Sequence, residues 1–165
     1  MAPNDVVVTH PNRDKPVVRA TRAVVVVLLL ISVFLIMVVT IGGWESLQGA
    51  LLIQFGYVVV YLLLAFFAGR WNRGVLPVSA ALAVLLAIFA LVAGPSWFNR
   101  DHVGYSQPSL NSGLLGLLTL LIIPVQMLLV AFAMRGFSQG WNVEIERRNP
   151  TVVRADYGDP SPHPA

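Results

Sequence analysis

Residues 23–41 read AVVVVLLLISVFLIMVVTI, and they decide the class of the chain. These 19 positions hold fifteen Val, Leu, Ile or Phe residues and no Asp, Glu, Lys, Arg or His. A helix of roughly 20 apolar residues, rising about 1.5 Å per residue, crosses a hydrocarbon core of about 30 Å. At about −0.3 to −0.6 kcal/mol for each of the fifteen, insertion of this segment is downhill by roughly 5 to 9 kcal/mol. A soluble helix would need a polar outer stripe, and this one is apolar all round. A cleaved signal peptide is the other alternative. The run exceeds the roughly 7–15 residues of such a segment, and Thr40–Gly43 offers no A-x-A-like cleavage site.

Three further blocks repeat the pattern: residues 50–68, 75–93 and 114–134, again without an ionisable Asp, Glu, Lys, Arg or His. Together the four spans predict an all-α integral membrane protein, a four-helix transmembrane bundle over residues 23–134. Composition agrees, with 56% hydrophobic and 12% charged residues and a mean hydropathy of +0.73. A typical globular chain has about 45–50% and 25%. The chain of 165 residues has no cysteine, which excludes a disulfide framework, a thiol nucleophile and any Cys-ligated metal.

Basic residues set the expected orientation, because they accumulate in cytoplasmic loops. Arg13, Lys15, Arg19 and Arg22 precede the first span, and Arg70 and Arg73 follow the second. Arg135, Arg147, Arg148 and Arg154 follow the fourth, so ten of the eleven lie on one side and only Arg100 on the other. Both termini are therefore expected in the cytoplasm. Trp44, Trp71, Trp97 and Trp141 each follow the end of a span. That places their rings at alternating interfaces with their N–H groups wet. The arginine-, alanine-, valine-, glycine- and proline-rich composition suggests a bacterial plasma membrane.

The polar stretch 1–22, with Pro3, Pro11 and Pro16, is expected to be a disordered cytoplasmic tail. Residues 135–165 form a second, mostly disordered tail that carries helix a little past the membrane. Gly42–Gly49 and Gly69–Gly74 are short connections, so consecutive helices should be antiparallel neighbours. Gly94–Gly113 reads as the one substantial external loop, with Pro95, Pro108 and Asn111 as breakers. A faint repeat, Phe67, Ala68 and Arg70 against Phe132, Ala133 and Arg135 at an offset of 65, leaves a parallel duplication open.

Intramembrane charge marks pumps and proton-coupled carriers, and these spans have none. Gln54, Tyr57 and Tyr61 share one face of the second helix. They either bond to neighbouring helices, typically for about 0.6–2 kcal/mol per contact, or line a crevice. On the third helix, Ser79, Ala83, Ala87, Ala90 and Gly94 form a small-residue stripe suited to close backbone approach. Pro124 frees the carbonyl of Leu120, which predicts a kink in the fourth helix, with Thr119 or Gln126 placed to satisfy the freed group. The external loop clusters Arg100, Asp101, His102, Tyr105 and Gln107, but a single histidine beside an aspartate is a poor metal site. No G-x-S-x-G, H-E-x-x-H, P-loop or G-x-G-x-x-G pattern occurs.

The expectation from sequence is a non-catalytic accessory or scaffold subunit, in the lipid bilayer, packing against a membrane-protein partner or against itself. Neither a cofactor nor nucleic acid is implied. The alternative is a small-solute transporter or channel component that acts as an oligomer.

Overall fold

The computed structural model describes residues 6–100, 108–141 and 143–148. Among them, four helices are long and apolar enough to cross a membrane: α1 (Pro16–Gly42), α2 (Leu51–Gly69), α3 (Val75–Phe98) and α4 (Ser112–Ser138). The pattern of exposure is the reverse of a soluble bundle. Leu52, Val92 and Met127 turn 87%, 74% and 67% of their surface outward, while the polar side chains of Ser32, Thr40, Ser79 and Gln126 are buried.

Every helix but α2 outruns its apolar block, for reasons that are local. α1 begins at Pro16, seven residues before Ala23, because proline at the first helical position needs no donor and arrives with a helical φ. Thr21 is buried in that extension, giving its hydroxyl to the Val17 carbonyl at 2.9 Å and accepting Gln139 Nε2 at 3.0 Å. α3 continues through Pro95 to Phe98, so the connection between α3 and α4 starts five residues later than Gly94. α4 starts at Ser112 because the Asn111 side chain caps it, accepting from the amides of Gly113 and Leu114 at 2.9 and 3.3 Å. Asp101, His102, Tyr105 and Gln107 lie outside the described residues.

The expectation of two disordered tails is corrected where the chain is described. β1 (Val6–Thr9) pairs antiparallel with β2 (Ile145–Arg148), in the register Val6 opposite Arg148 through Thr9 opposite Ile145. Below this ladder, Trp141 is fully buried and stacks edge-on against Trp71, with ring centroids 5.8 Å apart. Arg22 lies over the same Trp71 ring at 4.1 Å and donates to the Gly69 carbonyl at 2.9 Å. Asn12 and Arg13 donate to the carbonyls of Gly140 and Trp141. The sequence places four tryptophans at wet interfaces, but Trp141 and Trp97 are both buried in protein.

Two helices end at this cap in the same way, with different residues. After α4, Gly140 takes the left-handed conformation with φ +59°, which costs glycine nothing. After α2, the left-handed residue is Trp71, φ +66°. Its amide bonds the Ala68 carbonyl while the Asn72 amide reaches Phe67, a Schellman closure without its usual glycine. The conformation costs a non-glycine residue about 1–2 kcal/mol. Contacts with Arg22 and Trp141 offset it.

The helices do not pack evenly. α3 and α4 share the most extensive interface, and α1 lies against both α2 and α4. α2 and α3, joined by the short turn at residues 70–74, barely touch. The short connection makes them neighbours in sequence but not in packing.

Candidate functional site

Two polar groupings lie inside the bundle, each built from hydroxyls and amides. Ser32 and Thr40, on α1, return their protons to the carbonyls four residues back, Leu28 at 2.7 Å and Ile36 at 2.6 Å. For Ser32 this leaves the oxygen free to accept. The Ser32 oxygen accepts Gln126 Nε2 at 2.8 Å, and Gln126 Oε1 accepts the Tyr61 hydroxyl at 2.9 Å. Three helices, α2, α4 and α1, are thereby joined by one buried chain of side chains. Gln126 is 1% exposed and uses both faces of its amide. Every polar side-chain atom of this buried chain has a hydrogen-bond partner.

The second grouping is different. Gln54 Oε1 accepts from the Thr40 hydroxyl, which shares its single proton between that oxygen and the Ile36 carbonyl. The Gln54 NH2 then faces away from Thr40. One turn on, Tyr57 stacks edge-on against Tyr61 and Phe89, with centroids at 5.6 and 6.3 Å. The Tyr57 hydroxyl is buried and has no hydrogen-bond partner. Such an atom is costly to leave unmade.

Gln54 and Tyr57 line a crevice of about 520 Å³ between α2 and α3. Ile53 lines the α2 side; Phe89, Ala93 and Trp97 line the α3 side; Ile36 and Val39 of α1 with Thr119 and Ile122 of α4 form the back. The walls are otherwise apolar. The crevice occupies the half of the bundle that holds the α1–α2 connection, and it closes toward the turn at residues 70–74. In that other half Leu64 and Ala68 of α2 and Leu76 and Ala80 of α3 enter the core. Glu45, in a short 3-10 turn (Trp44–Ser46), is exposed outside it.

The remaining predicted residues serve packing. Ser79, Ala83, Ala90 and Gly94 are buried. A Cβ added at Gly94 would meet the Leu120 side chain at 2.5 Å, and one at Gly116 would meet the Phe98 ring at 2.7 Å. Ala87 belongs to the stripe by spacing but is only half-buried. It lies at an outer groove of about 270 Å³ between α3 and α4, with Met127 and Val130. α4 stays α-helical through Pro124. Thr119 bonds Leu115 at 2.7 Å and Gln126 bonds Tyr61 and Ser32, so neither side chain answers the carbonyl that the proline frees. Ser32 and Thr40 read from sequence only as polar membrane positions, and Trp97 only as an interfacial ring, with no site assigned to any of them. Their signal was only polarity or aromaticity at a helix position facing the later-formed site.

Among the described residues no group of three His, Cys, Asp or Glu side chains comes together. No family model, curated protein or solved structure matches the chain.

Proposed function

We propose that this is an integral protein of a bacterial plasma membrane with both termini in the cytoplasm, acting as a non-catalytic accessory or scaffold subunit for a membrane partner. Four spans free of charge support insertion, and ten of eleven basic residues on the side of the termini support the orientation. The observation that carries the scaffold reading is the division of labour among the buried polar atoms. Ser32, Tyr61 and Gln126 are spent on holding three helices together, and among the described residues no charged side chain lines the crevice. α2 leaves most of its apolar surface outward, with Gly56 open to close approach on its outer side.

A small-solute transporter or channel component, working as an oligomer, is the second reading, and the Tyr57 hydroxyl in the crevice favours it. Against it stands the blind end, since a pathway must cross the whole bundle.

Purification of the native complex in mild detergent, followed by mass spectrometry, separates the two. Stoichiometric membrane partners are expected. A homo-oligomer that alone conducts solute in vesicles would replace the scaffold reading with transport. Orientation is tested in this cysteine-free chain by Gln48→Cys: an impermeant thiol reagent should label it from outside intact cells. Labelling from the cytoplasmic face alone would invert the topology.

A further inference from the structure

The crevice supports a more specific assignment, which rests on the membrane reading above. We propose that it is a lipid site: it takes one hydrocarbon chain of a membrane phospholipid from the leaflet at the α1–α2 connection, with an ester oxygen of that lipid meeting Gln54 and Tyr57.

Depth is the first argument. From Ala50 to Tyr57 the α2 wall rises roughly 10 Å, and from Leu86 to Trp97 the α3 wall rises roughly 16 Å. One leaflet's share of the hydrocarbon core is about 15 Å. The crevice therefore has the reach of a single chain entering from one surface. A partner helix about 10–12 Å across would need a groove running the length of the bundle. Here the lining stops at Tyr57 on α2 and Leu86 on α3, and Leu64 and Leu76 beyond them are buried in the core.

Chemistry is the second argument. The volume, about 520 Å³, is that of a small-molecule site, and its walls are apolar. Water is a poor occupant, because an ordered water needs roughly two to four polar partners and only Gln54 and Tyr57 offer functional groups beside Thr119, which is already bonded. The buried Tyr57 hydroxyl is a donor without an acceptor. Helical side chains lean toward the helix N-terminus, so Tyr57 reaches back toward Gln54 and the entry of the crevice. A phospholipid supplies the missing acceptor at its ester carbonyl and apolar atoms below it.

The test uses the full chain, delipidated in detergent, incubated with dioleoyl phosphatidylcholine and read by native mass spectrometry. One lipid per chain is expected to survive. Ala93→Phe, which puts a ring into the crevice, should abolish retention, and Ile53→Trp does the same from the α2 wall should the first variant fold poorly. Ala81→Phe, on the outward face of α3, should retain the lipid. Tyr57→Phe keeps the shape and should weaken retention by about three- to tenfold, the worth of one hydrogen bond. Retention in both filled variants at the wild-type level would overturn the assignment, as would a lipid-free dimer that Ala93→Phe dissociates. Membrane insertion is read separately, as resistance of the chain to alkaline extraction. Partner recovery reads the scaffold proposal independently of either.

Discussion

One helix, α3, faces α4 along one side and α2 along another, and the two seams have opposite characters. Toward α4 it presents Ser79, Ala83, Ala90 and Gly94, all buried, and Leu120 lies where a Cβ on Gly94 would go. Toward α2 it presents Phe89, Ala93 and Trp97, which together with Ile53 and Tyr57 leave a crevice. The closed seam belongs to helices joined by the longer connection, and the open one to helices joined by the tight turn at residues 70–74. Connection length therefore does not decide which helices meet closely. Side-chain size along the facing stripes decides how closely they do.

Gly94→Leu and Ala83→Leu should break the contrast most, by prising open the seam that is closed. Overpacking there should cost about 1–3 kcal/mol, Gly94 at the upper end. The readout is the unfolding free energy from detergent titration in mixed micelles. Equal stability of both variants and wild type would mean that α3 and α4 are not closely packed in solution.

Gln126→Leu should cost less, about 1–2 kcal/mol in the same measurement, because it removes two hydrogen bonds and strands Tyr61 and Ser32. Its effect should fall to a small remainder in a background already carrying Tyr61→Phe and Ser32→Ala. Additivity would show that the three do not act as one chain.

The smallest effects should come from residues adjacent to the closed stripe but turned off it. Ala87→Leu at the outer groove and Ala93→Leu at the crevice should each stay within about 0.5 kcal/mol of wild type. Each is a close counterpart of a sensitive site, Ala83 and Gly94. A cost above 1 kcal/mol at Ala93 would mean that the crevice is shut.

The four long apolar helices were legible because their length and composition are written in the chain and no arrangement of neighbours alters them. Helix ends were less so. The start of α1 was hidden by Arg19 and Arg22, which end an apolar run without ending a helix, though Pro16 carried the signal. Asn111 looked like a breaker and is a cap. The Gln54–Tyr57–Tyr61 face was legible from spacing alone. Its division was not: Tyr61 finds Gln126 while Tyr57 finds nothing, which depends on how α4 is rotated against α2. The buried Trp141 follows from contacts with residues more than 60 positions away in the chain, which local patterning does not encode.

The pairing of β1 with β2 also sets a timetable. Val6–Thr9 is synthesised well before Ile145–Arg148. At about 5–20 residues per second, the 135 residues between them take roughly 7 to 27 s to translate. Throughout that interval the first strand offers unsatisfied edges to whatever is nearby, including the same strand on a neighbouring nascent chain. Closure of this cap therefore has to wait until all four long helices have been made. A messenger cut short between codons 138 and 145 would release a chain that holds those four helices and never pairs its first strand.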